Sequence, residues 1–236
     1  MKDASVPEIQ RSNMAMVTLQ LIAMGIDDLI NFEFMDKPPT HTIIDALEQL
    51  YALEAVDDEG HLTSIGRRMA QFPLNPQLSK MLIASSELGC SEEIMAIVAI
   101  LSVQGIWFRP RQKQANADAM KARLNRDEGD HLTLLHAYRE WVKECRSDRW
   151  FKDNFVHYRS LKRADDVIDQ LKRLMEKFKL KINSCGNDTQ LVLKAIVSGF
   201  FAKAARKDGQ KGYLTLVDNH LVHMFPGSAL FGRDPE

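Results

Sequence analysis

The sequence predicts a mainly α-helical chain that closes on a few short β-strands. Three observations predict it. Apolar residues recur at helical spacing through most of the 236 residues. Glycine and proline punctuate these runs at Gly25, Pro38-Pro39, Pro73, Pro76, Gly89 and Gly105. After Gly212 the pattern changes to two short strands, Tyr213–Val217 and Leu221–Phe225, around the hairpin pair Asp218-Asn219.

The elements follow in order. Pro7 suits a first helical turn, and Ile9, Met16, Leu19, Ile22 and Ala23 carry one helix to Gly25. Beyond Pro38-Pro39 a second helix is expected from Thr40 to Glu54, with Ile43, Ile44, Leu47, Leu50, Tyr51 and Leu53 apolar. Val56–Thr63 reads as strand, tight turn, strand. Its acidic turn lacks the twelve-residue calcium-loop pattern. Two helices followed by a small hairpin outline a winged helix. Its second helix carries Asp45 and Glu48 but no Lys or Arg, so it suits protein packing rather than a DNA groove. Thr63 or Ser64 caps a helix to Phe72, and Leu78–Leu88 forms the next. Ser91 is a candidate N-cap for a helix over 92–102 that is apolar almost all round and therefore buried. Asp130 is a candidate cap for His131–Val142. Asp148–His157 holds Trp150, Phe151 and Phe155. A long helix, Arg159–Phe178, buries Leu161, Ala164, Val167, Ile168, Leu171, Leu174 and Met175. Its other face carries Lys162, Arg163, Lys172, Arg173 and Lys177, a pattern that is usually solvation. Asp188 caps a last helix from Thr189 to about Arg206. Two strands cannot bury a core alone, so the end of the sequence reads as the beginning of a β-domain.

Charge divides the chain. Residues 1–108 hold 6 Lys+Arg against 15 Asp+Glu, whereas residues 109–236 hold 25 against 17. The second part is the one able to meet phosphates. At its start stand Trp107 and Phe108, then Arg109, Pro110, Arg111 and Lys113. Rings stack on bases, guanidinium groups pair with phosphates, and proline extends the residue before it, so the stretch suits single-stranded nucleic acid. A core aromatic pair beside a solvated basic loop is the other reading of the same residues.

Cofactor and catalytic signatures are absent. There is no G-x-x-x-x-G-K-[ST], G-x-G-x-x-G or G-x-S-x-G. Cys90, Cys145 and Cys185 are odd in number and far apart, which argues against a disulfide framework or zinc cage and for a reducing compartment. No apolar run approaches a membrane span, and MKDASVPEIQ has no signal-peptide core.

Many strings together resemble the C-terminal accessory region of DEAH-box RNA helicases of the pre-mRNA splicing type. They are VPEIQRSN (6–13), MGIDDL (24–29), FMDKPP (34–39), LEQLYAL (47–53), DDEG (57–60), LTSIGR (62–67), FPLNP (72–76), LSV (101–103), FRP (108–110), GDHLTLL (129–135), YRSL (158–161), SGFF (198–201) and Gly212-Tyr213. They run in order over nearly the whole chain.

The resemblance implies a winged helix over 1–67, a ratchet-like helical bundle over 68–194 and the start of an OB-fold over 195–236. It implies that two RecA-like domains, with ATP and magnesium, precede this region in a longer helicase; no cofactor is expected in the region itself. It implies one wall of a single-stranded RNA channel, contacted by Ser102, Arg109, Arg111, Lys113, Arg159 and Lys162, with Lys203, Arg206 and Lys207 near the OB-fold. Where the family often has Tyr before Arg-Pro and Lys after it, this chain has Phe108 and Arg111, so a hydroxyl is lost and a cation kept. The resemblance also implies a glycine-patch activator docking on the winged helix at Tyr51, spliceosomal partners and a nuclear setting. Ribosome biogenesis, a purely protein-binding scaffold and a stand-alone winged-helix DNA binder are the alternatives.

Overall fold

The computed structural model describes residues 13–209, 212–233 and 235. The expected helical start at Pro7 and Ile9 lies outside them. The described residues form ten α-helices and a three-stranded antiparallel sheet, the mainly α class expected. The chain divides into two compact units. One comprises 1–84 with 197–199, and the other comprises 85–196 with 200–236.

In the first unit, α1 (Met14–Ala23) starts at Asn13, whose side chain accepts from the Met16 N–H. Ala15, Thr18, Leu19 and Ile22 form its buried face, and it packs on α2 (Thr40–Ala52). The hairpin after α2 is reduced to one bridge, Val56 with Leu62. Asp57 closes the turn by accepting from the Glu59 and His61 N–H groups. Thr63 caps α3 (Ser64–Met69), accepting from Gly66 N–H at 2.9 Å. A Cβ on Gly66 would lie 1.9 Å from the Ala55 carbonyl oxygen, so the close approach of α3 to the hairpin requires glycine. α4 (Pro76–Leu88) follows.

The second unit is built around α5 (Ser91–Ser102), buried from Ile94 to Ile100 as its uniform apolarity predicts. It packs against α7 (Asp130–Lys143) and α9 (Tyr158–Lys177). Between them lie α6 (Gln114–Leu124) and α8 (Asp148–Asn154). Ser147 caps α8, and Phe155 ends it in the left-handed conformation. Asp188 caps α10 (Thr189–Phe200), but the helix stops earlier than expected. A 3-10 turn at Phe201–Lys203 leads into β1 (Ala205–Lys207). β1 pairs with β2 (Tyr213–Thr215), and β2 with β3 (Leu221–Val222), both shorter than the expected strands.

Two expected caps serve other purposes. Ser91 is the first residue of α5, and its hydroxyl bridges to the 181–183 loop: it donates to Lys181 O and accepts from Asn183 N–H at 2.9 Å. Asp130 begins α7 after Gly129, and its carboxylate accepts from Ser228 Oγ and Ala229 N–H, each at 2.7 Å. Both side chains tie a distant loop to a helix start, which local sequence does not disclose.

Glu93 does the same from inside the core. Its side chain is 1% exposed and meets Arg139 Nη2 at 2.5 Å, Ser184 Oγ at 2.6 Å and Cys185 N–H at 3.2 Å. Burial pushes its pKa up, but the hydrogen bonds from Ser184 and Cys185 outweigh that and hold it below the ordinary carboxylate value. Glu93→Ala takes the carboxylate from Arg139, which keeps Gly186 O, and from Ser184 Oγ and Cys185 N–H, and urea unfolding should show a loss of about 3 kcal/mol. Because the folded pKa is lowered, the wild-type advantage should be complete above the unfolded pKa and disappear as pH falls through the folded one.

Candidate nucleic-acid interface

The aromatic-basic stretch is fixed by a short antiparallel pairing. Trp107 bridges Val156; His157 N–H donates to Ile106 O at 2.7 Å, and Phe108 N–H to Phe155 O at 2.8 Å. Extended chain on both sides satisfies backbone groups that neither helix uses. The pairing places the loop after Phe108 beside the first turn of α9. Phe108 is 45% exposed, with its ring 4.9 Å from that of His157. Trp107 is partly buried, with Lys121 Nζ 5.3 Å from its ring centre.

Arg109 makes a bidentate pair with Asp118 of α6, Nε to Oδ1 and Nη2 to Oδ2, both 2.7 Å. That hydrogen bonding raises the Arg109 pKa and lowers that of Asp118. Pro110 is extended, and Arg111 and Lys113 are exposed on the 3-10 turn Arg111–Lys113 that enters α6. Opposite them, Arg159 is exposed. Lys162 Nζ lies 5.4 Å from the Tyr158 ring centre, and a hydrogen bond with the Tyr158 hydroxyl raises the Lys162 pKa. A cleft of about 730 Å³ is lined by Phe108, Lys113, Phe151, Lys152, Phe155 and Tyr158. Aromatic faces among ammonium groups are the elements from which sequence-tolerant contacts to single strands are made.

The other expected contacts lie elsewhere. Ser102 is exposed at the end of α5, and its hydroxyl donates back to Val98 O at 2.7 Å, which leaves the oxygen to accept. Lys203, Arg206 and Lys207 are exposed on the 3-10 turn and β1, and of all the expected contacts Lys113 alone lines the cleft. In the first unit, Tyr51 is 55% exposed on α2, so core packing does not account for it; a hydrogen bond with Asp58 raises its hydroxyl pKa. Ile44, one heptad earlier on the same helix, is 44% exposed. Sequence reasoning names no element between 102 and 130 and so misses Asp118 and Lys121; α6 buries only Ala117 and Leu124, too weak an apolar face to show.

Two family descriptions match the chain: the winged-helix part of the helicase-associated domain over residues 46–74, and its ratchet-like part over 75–134. Among curated proteins, the pre-mRNA-splicing factor ATP-dependent RNA helicase prp22 of Schizosaccharomyces pombe is 50% identical across all of this chain and 20% of its own length. The probable ATP-dependent RNA helicase DHX35 of Homo sapiens is 43% identical over 98% of this chain and 33% of its own length. The chain is an accessory region of the DEAH-box RNA helicase family. It spans between a fifth and a third of the length of these relatives. In this helicase-associated region the first family match begins within α2 and ends before α4, and the second runs from α4 into α7.

Both partners of the Arg109–Asp118 pair are more than half exposed. Asp118→Asn should therefore change unfolding stability by no more than about 1 kcal/mol. The Arg109 Nε–H resonance should shift and exchange faster once its carboxylate partner is gone.

Proposed function

We propose that this helicase-associated region forms one wall of the single-stranded RNA channel of an ATP-dependent DEAH-box helicase acting in pre-mRNA splicing in the nucleus. In this reading a winged helix over 1–67 serves as a protein-docking module, a ratchet-like bundle over 68–194 supplies the wall, and 195–236 begins an OB-fold. The observation that carries it is the pairing of 106–108 with 155–157, which ties the segment leading to Arg111 and Lys113 to the segment leading to Arg159 and Lys162. Translocation along any sequence needs phosphate and sugar contacts without base readout, and exposed cations beside aromatic rings supply them. ATP hydrolysis belongs to RecA-like domains of the longer protein, whose movements shift RNA past this wall. The identity to a named splicing helicase supports splicing over ribosome assembly.

The test is binding of this chain to labelled poly-U across a salt series, with Arg109→Glu/Lys113→Glu in parallel. The wild type should bind with an affinity that falls with salt. Loss of two phosphate contacts should reduce the slope of log K against log salt by about 1.4. Binding unaffected by the double substitution would remove the site assignment. Absence of binding would leave the region as a protein-docking scaffold.

For the winged helix, the exposed Tyr51–Ile44 face of α2 is proposed to receive an amphipathic helix of a glycine-patch activator. Tyr51→Ala should weaken a glycine-patch peptide by about tenfold or more if the ring is an anchor, as read by titration calorimetry. The melting temperature should stay unchanged.

A further inference from the structure

A second cavity, of about 830 Å³, lies beside the cleft of the candidate interface, and Phe108 and Phe155 line both. Its wall is mostly apolar, with Ile100, Ile106 and Leu134 beside the rings of Trp107 and Phe108. The loop 225–228 supplies another side. Lys121 Nζ donates to Gly227 O, and Asp130 accepts from Ser228 Oγ and Ala229 N–H. These three bonds hold Phe225 on the rim with its side chain 75% exposed. A Cβ on Gly227 would lie 2.5 Å from Phe225 Cε1, so glycine lets the ring lie back along its own loop.

Two features of this cavity have no use within the described residues. Phe225 buries little area, although its loop is pinned at three points. Asn125 also lines the cavity, and its Oδ1 is buried and meets no donor among the described residues. A buried acceptor without a donor is costly, and a ligand N–H would relieve that cost. Lys121, whose Nζ lies 5.3 Å from the Trp107 ring centre, and Arg109 add cations to the same wall. Ring faces, one recessed acceptor and cations nearby match a nucleobase carried on a phosphate chain.

We infer that this cavity receives one unstacked base of single-stranded RNA. Phe225 and Trp107 supply ring faces for it, and Asn125 Oδ1 accepts from an N–H of its pairing edge. The inference rests on the RNA reading of the neighbouring cleft and adds to its phosphate contacts a place for a base. A strand that is already single gives up little to turn one base aside. Every RNA base offers an N–H on its pairing edge, so the site holds a base without choosing a sequence.

Base-free and base-bearing strands separate the cavity from the cleft. This chain is titrated across salt with U8, with an eight-residue 3-methyluridine oligomer, whose N3 carries no hydrogen, and with an abasic oligomer of the same length. The variants are Phe225→Ala, Asn125→Leu and Arg109→Glu/Lys113→Glu. Phe225→Ala should lower U8 affinity about tenfold, leave abasic affinity unchanged, and keep the salt slope because no charge is removed. The wild type should prefer U8 over the methylated oligomer, and Asn125→Leu should bind the two alike. If both cavity variants bind U8 as the wild type does while the double variant loses binding, the cavity is overturned and the channel wall stands. Equal loss of U8 and abasic affinity in Phe225→Ala, or a preference for U8 that survives Asn125→Leu, overturns it as well. A wild-type chain that binds none of the oligomers overturns both readings.

Discussion

Two backbone hydrogen bonds, from His157 N–H to Ile106 O and from Phe108 N–H to Phe155 O, hold the candidate interface together. Each segment is an irregular stretch between helices, and each would otherwise leave polar backbone groups to solvent or burial. Their pairing fixes the entry to α9 and the exit from α5 as one piece. Ile106 and Val156 are buried beneath it with Trp150, Phe151 and Leu161. The core therefore anchors the extended strands, and the strands present Phe108 and the cations outward. Lys113 and Tyr158 line one cleft because of this pairing rather than through any helix.

Long-range polar ties finish the bundle. Glu93, Ser91 and Asp130 are residues that a local reading assigns to helix starts and macrodipoles. In the structure each is used on a loop 90 or more residues away, at 181–185 or 228–229. Glu93 is the most consequential, because a buried carboxylate without its partners is costly. Such ties let short loops hold position with little apolar area of their own.

What was legible in the sequence follows from how local each signal is. The helices α2, α7 and α9 have periodic apolar faces and α5 is apolar almost all round; all four appear within a few residues of their expected bounds. The Thr63 and Asp188 caps are also local and are found as expected. α6 escaped because only two of its residues are buried, so its formation rests on propensity and on contacts with α7 and α8. β1 escaped because Ala205–Lys207 is exposed throughout and is a strand only through β2. At the interface, the aromatic and basic residue types were readable, but the Arg109–Asp118 pair was not, since it requires α6 to exist. Tyr51 could be read as core or surface from periodicity alone; only the fold shows it exposed.

The Arg109–Asp118 pair also constrains how the interface can work. A guanidinium held in a bidentate fork through Nε and Nη2 keeps three N–H donors for a phosphate, and it can turn its fork to the phosphate only by releasing Asp118. Because both groups are exposed, release costs little, so the pair keeps Arg109 oriented without fixing it permanently. Arg111 and Lys113, which meet no carboxylate among the described residues, carry no such condition. In the proposed function the first contact with a polyanion falls to Arg111 and Lys113, and Arg109 adds its free N–H donors. The channel wall proposed above, which must let RNA advance, would gain from contacts of this kind, each weak and replaceable, more than from a single strong one.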